Sequence, residues 1–372
     1  MRDFSGDSRI VMTLDAGGTN FVFGAMQGNQ PVASSFSLPS CGGELGRSLE
    51  NIVDGFRRVQ RELPAAPAAI SFAFPAPADY RNGVILRPVN LPAYRNVALG
   101  PMLEDTFQLP VFISNDGDLF TYGEAASGFL PYVNRLLEQA GSPRRFRNLL
   151  GVTLGTGFGG GIVRDGELFT GDNSLAGEVW LLRNKLDPMM NAEEGASIRA
   201  VRLAYAEMAG IPMAEAPEPK EICAIAEGRE QGNAAAAREA FRRLGEVTGD
   251  ALGQALTLVD GLAVIGGGIS SAHAHFLPAV IEELNSCYVW RDGTRLPRLI
   301  PKAFNLEDAG QLEVFLRGET TELTVPGSGR KLLFDGLQRV GVGISRLGTS
   351  ESVAIGAYAL ALSRLDRSAA AI

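Results

Sequence analysis

The chain has 372 residues, of which 45% are hydrophobic and 20% charged, and its formal net charge is −8. This length favours two domains, the composition excludes wholesale disorder, and the acidic balance without a basic, aromatic-rich cluster argues against a nucleic-acid partner. Because the N-terminus is polar, we do not expect a signal peptide. No apolar run is long enough to predict a membrane span. The three cysteines lie far apart without metal-site spacing, so we expect them to be buried, small apolar residues of a cytoplasmic protein.

The first predicted elements form a strand, a glycine loop and a second strand. An apolar strand, Ile10 to Leu14, runs directly into the loop Asp15 to Asn20, and a further strand, a turn at residues 27–30 and a third strand follow. A helix is predicted next, from Leu45 to Leu63. The loop lacks a lysine, and none of the four lysines of the chain lies in a P-loop motif, which excludes a P-loop ATPase.

The string Asn115-Asp116-Gly117 follows a short apolar strand, Val111 to Ile113. Taken alone, Asn-Asp-Gly is typical of a turn.

A second glycine loop, residues 155–161, follows the strand Leu149 to Leu154 and repeats the pattern of the first. It satisfies G-x-G-x-x-G, but a strand and a turn at residues 164–167 follow it. A dinucleotide-binding unit would have a helix there, so the second loop is not expected to be a dinucleotide-binding loop. Two copies of one unit predict a duplicated domain whose loops face each other.

A third glycine loop, residues 266–268, follows the strand Leu262 to Ile265 and leads into a helix that ends at Leu284. Ser270 and Ser271 are candidate N-caps of that helix. We expect His273 and His275 to be a surface pair and not metal ligands. Residues 291–345 are β-leaning and suggest no chemistry, and further helices are predicted at Ser197 to Met208, Asn233 to Leu258 and Ser352 to Arg364.

Four segments, in this order, resemble the signatures of the ROK family (repressors, open reading frames, kinases). Residues 14–20 resemble its first phosphate loop, residues 114–118 its catalytic segment, residues 154–161 its second phosphate loop and residues 264–270 its adenosine loop. Smaller matches extend the resemblance over nearly the whole chain, at residues 75–77, 83–85, 90–92, 177–178, 347–349 and 355–357.

The resemblance implies an α/β protein of two RNase H-like domains, as in actin and hexokinase, with the ligand cleft between them. Residues 1–125 plus 352–372 would form the small domain, and residues 126–351 the large domain with a β-leaning insertion at about 291–345. A homodimer is implied at the level of the family only.

The resemblance also implies roles for individual residues in ATP-dependent sugar phosphorylation. Asp116 would act as general base for the sugar hydroxyl, and Asp15 would hold Mg²⁺, through water. Asn115, Ala76 and Asn90 would contact the sugar. The implied nucleotide ligands are Asp15, Gly17, Gly18, Thr19, Asn20, Gly155, Thr156, Gly157, Gly267 and Gly268.

Two carboxylates are implied to select the sugar, because each can accept hydrogen bonds from adjacent hydroxyls. Glu178 matches the first, and Glu193 matches the second better than Glu194 does, from its spacing to the serine and arginine that follow. Leu181 stands where the family has a histidine, and Trp180 could provide a stacking wall instead.

The segment between Gly177 and Ser197 contains no Cys or His, so the family's structural zinc, held by one His and three Cys, is not expected. The substrate is therefore predicted only as a hexose or hexose derivative. Asn-Asp-Gly together with the missing zinc ligands also resembles N-acetylmannosamine kinases.

Two other function classes share parts of this pattern. ROK regulators carry an N-terminal winged helix, for which the position of Asp15 leaves no room, so DNA binding is not expected. A non-catalytic sugar or nucleotide sensor stays open because of Leu181, although the presence of Asp15, Asp116 and both phosphate loops favours a kinase.

Overall fold

The computed structural model describes residues 3–370, which form a mixed α/β structure. Its strands are β1 Val11–Ala16, β2 Asn20–Gln27, β3 Gln30–Pro31, β4 Phe36–Pro39, β5 Ala69–Ala73, β6 Ala78–Asp79, β7 Val84–Ile85, β8 Val97–Ala98, β9 Val111–Ser114, β10 Leu149–Leu154, β11 Phe158–Arg164, β12 Glu167–Leu168, β13 Leu262–Gly266, β14 Cys287–Val289, β15 Arg295–Pro297, β16 Lys302–Asn305, β17 Thr320–Thr324, β18 Lys331–Asp335 and β19 Arg339–Ile344. Its α-helices are α1 Leu45–Glu62, α2 Leu99–Phe107, α3 Asp116–Ala126, α4 Phe129–Gln139, α5 Ile198–Ala209, α6 Pro219–Ala226, α7 Ala234–Val259, α8 His273–Leu284, α9 Ala309–Arg317 and α10 Thr349–Ala370.

The described residues divide into two compact units. The first runs to Gly128 and includes Gly161–Gly177 and the described chain from Leu347 onward. The second comprises Phe129–Gly160 and Glu178–Arg346. The last helix, α10, therefore belongs to the same unit as the first strands.

The first unit is built on a six-stranded sheet with the order β3-β2-β1-β5-β9, and β4 pairs with β2. β1, β5 and β9 run parallel, while β2 is antiparallel to β1. Every residue of β5 is buried, as expected for a strand covered on both faces. α1 buries a stripe of Ile52, Phe56 and Val59, which follows helical periodicity. Phe56 packs edge-on against Phe23 and at a tilt against Phe72.

α10 packs along α3, and two glycines allow the helices to approach closely. A Cβ atom on Gly123 would overlap the carbonyl oxygen of Ser352, and one on Gly356 would overlap that of Leu119. The fully buried Glu124 accepts a hydrogen bond of 2.8 Å from the Ser352 hydroxyl. The C-terminal helix thus fixes α3 in the first unit.

The second unit contains β10, β13, β19 and β16, which are neighbours in this order in a second sheet. These strands run parallel, and β13 is wholly buried. α7 packs against α5, α6 and α8. It begins where the Asn233 side chain accepts a hydrogen bond of 3.1 Å from the Ala236 amide, and it ends at Asp260, which has a left-handed φ of 46°.

The duplicated strand–loop–strand–turn–strand unit predicted from the sequence is confirmed. It appears as β1, β2 and β3, and again as β10, β11 and β12. Gly28 and Asn29 have positive φ in the first turn, as do Asp165 and Gly166 in the second. Two consecutive residues with positive φ are typical of tight turns that match the twist of a β-hairpin.

Residues 291–345 contain the expected strands but also the helix α9, which the sequence did not predict. The helix begins where the Asp308 side chain accepts a hydrogen bond of 2.8 Å from the Gln311 amide. It buries Phe315, whose ring stacks on Phe146 and packs edge-on against Phe304. This aromatic packing accounts for a helix in a segment of β-leaning composition.

The predicted capping of α8 by Ser270 or Ser271 is wrong. A 3₁₀ turn, Ser270–Ala272, intervenes before the helix begins at His273. The Ser270 hydroxyl donates instead to the carbonyl oxygen of Gly267, at 2.7 Å. This bond stabilises the turn that leaves the third glycine loop.

The expectation of buried cysteines is also wrong, because Cys41 and Cys223 are half-buried and Cys287 is exposed. The predicted surface pair of histidines is half-buried at both positions, and the ring of His275, whose side chain is 19% exposed, stacks on Phe241. Across residues 3–370, no helix combines the length and the apolar character required to cross a membrane.

Candidate active site

Asp15 and Asp116 lie at one edge of the sheet of the first unit. Asp15 of β1 is in register with Ala73 of β5, and Ala73 is in register with Ser114 of β9. Asp116 follows Ser114 by two residues and is the first residue of α3. Because these strands are parallel, the two aspartates stand at their shared carboxyl edge, where ligands bind in open α/β sheets.

The first glycine loop is held by Ser40, a buried residue directly after β4. Its hydroxyl donates to the carbonyl oxygen of Gly18 at 2.5 Å, and its amide donates to that of Thr19 at 2.9 Å. In a trans peptide the N–H points opposite to the C=O. The amides of Thr19 and Asn20 therefore point away from Ser40, as a loop that binds phosphate through its backbone requires.

Asn115 and Asp116 form the start of α3, so the Asn-Asp-Gly string begins a helix and is not an isolated turn. The side-chain oxygen of Asn115 caps the helix by accepting a hydrogen bond of 2.5 Å from the Asp118 amide. Asp116 is exposed to solvent, and its Oδ1 accepts a hydrogen bond of 2.9 Å from the Gly117 amide. The carboxylate of Asp116 is thus both accessible and oriented by the backbone.

Gly161, which belongs to the first unit, packs against the first turn of α3. A Cβ atom there would lie 2.6 Å from the carbonyl oxygen of Gly117 and 2.7 Å from Oγ1 of Thr121. Both distances are too short for a side chain at this position. Gly161 therefore lets a strand pass directly beneath the helix that begins with Asp116.

The electrostatics of the first unit couple the two aspartates. Burial raises the pKa of Asp15, and the negative charge of Asp116 raises it further. Asp15 remains open to solvent, yet enough protein surrounds it to disfavour its charged form. A cation bound beside such a carboxyl would favour its charged form.

The other predicted sugar contacts of the first unit lie in loops after β5. Asn90 lies against the first glycine loop, since a Cβ atom on Gly18 would be 3.1 Å from that of Asn90. Ala76 is exposed in the loop between β5 and β6. The structure thus brings Asn90, Gly18, Asp15 and Asp116 together in one unit.

The second and third glycine loops meet in the second unit. Their strands are in register, with Thr153 of β10 beside Gly266 of β13. The carbonyl oxygen of Leu154 accepts a hydrogen bond of 3.1 Å from the Ile269 amide. Gly267 has φ +87°, and a Cβ atom there would overlap the backbone of Leu154. Only glycine allows the third loop to lie this close to the start of the second.

Glu193 contacts the second glycine loop. Its Oε2 accepts a hydrogen bond of 3.1 Å from the Phe158 amide and would lie 2.7 Å from a Cβ atom on Gly157. Glu194 instead forms an ion pair with Arg199. Of the two neighbouring carboxylates, Glu193 alone has a described contact with the loop.

Glu178 is half-buried at the start of a 3₁₀ turn, Val179–Leu181. The indole N–H of Trp180 donates a hydrogen bond to its Oε2. Leu181, at the position of the family histidine, is 60% exposed. Trp180 therefore orients the Glu178 carboxylate, whereas Leu181 presents an apolar side chain to solvent.

Comparison with known proteins decides the family. A family model described as the ROK family matches residues 11–312. The chain belongs to the ROK family. The resemblance of its loops to ROK signatures is thereby confirmed.

Solved structures confirm the predicted fold class, the two-domain fold of actin and hexokinase, for this ROK chain. A crystal structure of glucokinase from Parabacteroides distasonis has 52% sequence identity and a TM-score of 0.90, covering 97% of this chain and 99% of that one. A ROK glucokinase from Streptomyces griseus in complex with glucose and AMPPNP has a TM-score of 0.58 at 18% identity, covering 94% of this chain and 98% of that one. The latter similarity concerns the fold alone.

Curated relatives of this ROK chain include a sugar kinase. N-acetyl-D-glucosamine kinase from Vibrio cholerae is 28% identical over 185 residues, which is 50% of this chain and 56% of that protein. The aligned part therefore spans little more than half of that relative.

Sequence reasoning missed several contacts that support the glycine loops and the residues near them. Ser40 holds the first glycine loop, but no spacing in the sequence links it to that loop. The glycine run at residues 159–161 was visible, yet the contact of Gly161 with α3 depends on tertiary packing. Trp180 was predicted as a wall, and its hydrogen bond to Glu178 could have been anticipated because a half-buried indole N–H usually finds an acceptor nearby.

Proposed function

We propose that this ROK protein is an ATP-dependent kinase that phosphorylates a hydroxyl of a hexose or hexose derivative, with Asp116 as general base. The observation that carries the proposal is the placement of Asp116. Its carboxylate is solvent-exposed, oriented by the Gly117 amide and located at the same sheet edge as Asp15 and the first glycine loop. The 52% identity to a glucokinase over nearly the whole chain supports the same function.

In the proposed reaction, the attacking sugar hydroxyl donates a hydrogen bond to Asp116. The new bond forms between that oxygen and the γ-phosphorus of ATP, while the bond from the γ-phosphorus to the oxygen bridging to ADP breaks. The hydroxyl proton moves to the Asp116 carboxylate and then to solvent. Phosphoryl transfer requires little further covalent chemistry from the protein, so positioning and charge stabilisation provide the remainder.

The nucleotide would be held mainly by backbone groups. The amides of Thr19 and Asn20, turned away from Ser40, would donate to the phosphates, with Gly17 and Gly18 allowing close approach. In the second unit the same role falls to the second loop, and the adenine ring would lie against the third. The residues proposed there are Gly155, Thr156, Gly157, Gly267 and Gly268.

The donor set of the first unit suits Mg²⁺, which prefers carboxylate and water oxygens. Asp15 would hold it through water, in keeping with the negative potential that Asp116 adds at Asp15. When bound, Mg²⁺ neutralises charge on the phosphates during transfer.

The sugar would be recognised by Asn115, Asn90, Ala76 and the carboxylates Glu178 and Glu193. Asn115 uses its carbonyl oxygen to cap α3, which leaves its NH₂ group as the part that would donate to a sugar hydroxyl. The contact between Glu193 and the second loop supports choosing it over Glu194.

We further propose that the two units correspond to the family's two domains and that the protein is cytoplasmic and homodimeric. The family's structural zinc is not expected, because its ligands are absent between Gly177 and Ser197.

An ADP-release assay over a panel of hexoses, N-acetylated amino sugars and ketoses tests the proposal. We expect turnover with at least one aldohexose or N-acetylhexosamine, and mass spectrometry should show one added phosphoryl group on that sugar. The exposed Leu181 at the histidine position favours the alternative of a non-catalytic sensor. Sugar binding detected by calorimetry without turnover on any panel member would support the sensor and overturn the kinase.

A further inference from the structure

A half-buried cluster in the second unit combines three side chains of metal-binding chemistry. Cys223 lies on α6, Glu227 follows directly after that helix, and His275 lies in the first turn of α8. One potential ligand atom of each lies within 4.8 Å of those of the other two. These residues belong to neither the phosphate loops nor the segment in which the family zinc ligands would stand.

Two of the three ligand separations in the cluster match those of a tetrahedral metal site. The Cys223 thiol is 3.7 Å from Oε1 of Glu227, and Nε2 of His275 is 3.5 Å from the same oxygen. Zinc–ligand bond lengths place two ligands of one tetrahedron roughly 3.3–3.8 Å apart. Both of these distances fall within this range, and the thiol and imidazole atoms lie within 4.8 Å of each other. A modest movement of the side chains would therefore let one ion contact all three.

Neighbouring groups orient two of the three ligands. The guanidinium of Arg229 pairs with Oε2 of Glu227 and leaves Oε1 facing the thiol and the imidazole. The ring of Phe241 on α7 stacks on that of His275, with centroids 5.7 Å apart and an angle of 28°. Outer partners that hold a carboxylate and an imidazole in place are typical of protein metal sites.

We propose that Cys223, Glu227 and His275 bind a divalent transition-metal ion, with Zn²⁺ as the natural occupant. Thiolate, imidazole and carboxylate form a mixed set that suits Zn²⁺ and Co²⁺ and disfavours Mg²⁺. The three ligands leave a fourth position of the tetrahedron for water. Binding replaces the thiol proton by the metal, so one proton is released for each ion bound.

The site links α6 to the first turn of α8, which follows the third glycine loop. The thiol and imidazole are half-buried and Glu227 is exposed. The ion would therefore cross-link two helices near the surface, and packing of the hydrophobic core would not depend on it. The site does not depend on phosphoryl transfer, and it can be tested whether or not the kinase proposal holds.

The test is a Co²⁺ titration of the full chain, reduced and freed of metal beforehand. We expect one equivalent to bind, with the visible bands of tetrahedral Co²⁺ and a thiolate-to-cobalt charge-transfer band that Zn²⁺ abolishes. Cys223→Ser should remove the charge-transfer band. His275→Gln should weaken binding by about 100-fold or more, and Arg229→Gln, which removes only an outer partner, by roughly 10-fold.

The chain offers matched controls, because it has only three cysteines and two histidines. Cys287→Ser and His273→Gln each alter the same residue type outside the cluster and should bind Co²⁺ like the parent protein. Glu227→Ala, at an exposed position, tests the site without disturbing packing. Absence of the charge-transfer band in the parent, its survival in Cys223→Ser, or its equal loss in Cys287→Ser would each overturn the proposal.

Discussion

At Asp15, the proposed role in ligand binding opposes the stability of the fold. Burial and the negative charge of Asp116 raise the pKa of the Asp15 carboxyl. The ordinary value of an aspartate is about 3.9. A carboxyl whose pKa is raised on folding contributes stability that is complete below this unfolded value and is lost as the pH rises through the folded value. At neutral pH the Asp15 charge therefore costs stability, which a bound cation would offset.

Asp15→Asn should accordingly raise the melting temperature at pH 7, and the gain should shrink as the pH falls toward about 4 and be absent below it. Thermal unfolding in a series of buffers without nucleotide measures this. Asp165→Asn is the control, because it removes an exposed carboxylate from a turn where asparagine also accepts positive φ. Equal stability of Asp15→Asn and the parent at pH 7 would contradict the described electrostatics.

Substitution of the neighbouring carboxylates Glu193 and Glu194 tests which of them contributes to the proposed sugar site. Glu193→Gln removes the charged acceptor of the Phe158 amide and a proposed sugar ligand. Hydrogen bonds to charged groups contribute about 1.5–3 kcal/mol, so kcat/KM for the sugar should fall roughly 10- to 100-fold.

Glu194→Gln removes only the ion pair with Arg199, both partners of which are more than a third exposed. Exposed pairs contribute about 1 kcal/mol or less to stability and nothing to the proposed site. The kcat/KM of Glu194→Gln for the sugar should therefore stay near that of the parent protein. If steady-state kinetics gave the larger loss for Glu194→Gln, the assignment of Glu193 would be wrong.

Among the elements, the α3–α10 pair connects the C-terminal helix to the position of Asp116. Gly123→Ala forces a methyl group into the backbone of α10, and overpacking of this kind costs about 1–3 kcal/mol. Because α3 begins at Asp116, we expect kcat to fall along with the free energy of unfolding. Denaturant unfolding and sugar kinase assays of the same preparation measure both effects.

Gly46→Ala is the matched control for this substitution. Gly46 lies near the start of α1, and a Cβ atom there would meet no neighbour within 4 Å. Alanine favours a helix over glycine by up to about 1 kcal/mol, so this variant should be as stable as the parent or slightly more so. If both variants lost a similar amount of free energy of unfolding, the close α3–α10 contact would not be the reason that glycine is needed at position 123.

Within the segment of residues 291–345, a buried ion pair connects the end of β18 to the start of β19. The guanidinium of Arg339 is fully buried and lies 2.7 Å from the Asp335 carboxylate, which also accepts the Glu319 amide. Asp335→Asn would leave Arg339 as an unpaired buried charge, at a cost of about 3–5 kcal/mol in the free energy of unfolding.

The exposed pair Lys331–Glu322 on the β17–β18 hairpin serves for comparison. Glu322→Gln should change the free energy of unfolding by about 1 kcal/mol or less. Chemical denaturation distinguishes the two substitutions. Comparable effects would mean that the Arg339 pair is hydrated and not part of the core.

Across the whole molecule, the features predicted correctly are those fixed by neighbouring residues. The strand, glycine loop and turn around Asp15 and around Gly157 depend on local periodicity and on residues that tolerate positive φ. The long helix α7 was also predicted to within a residue at each end, because its N-cap Asn233 and its apolar spacing lie within the segment itself.

The features that the sequence did not reveal depend on contacts between distant residues. α9 forms around the burial of Phe315 against Phe146, far away in the chain. Ser40 acts on the first glycine loop only because β4 pairs with β2. The approach of Cys223 to His275 depends on how α6 and α8 pack with α7. Spacing along the chain carries no signal for such contacts.

The function proposed for the whole protein depends on Asp116 acting as a base. The most direct test is to measure turnover and sugar affinity together in Asp116→Asn, using the sugar that the parent protein phosphorylates best. A carboxamide keeps the shape but cannot accept the hydroxyl proton, so we expect sugar binding within a few-fold of the parent and kcat lower by about 10²–10⁴. Turnover equal to that of the parent would contradict the account.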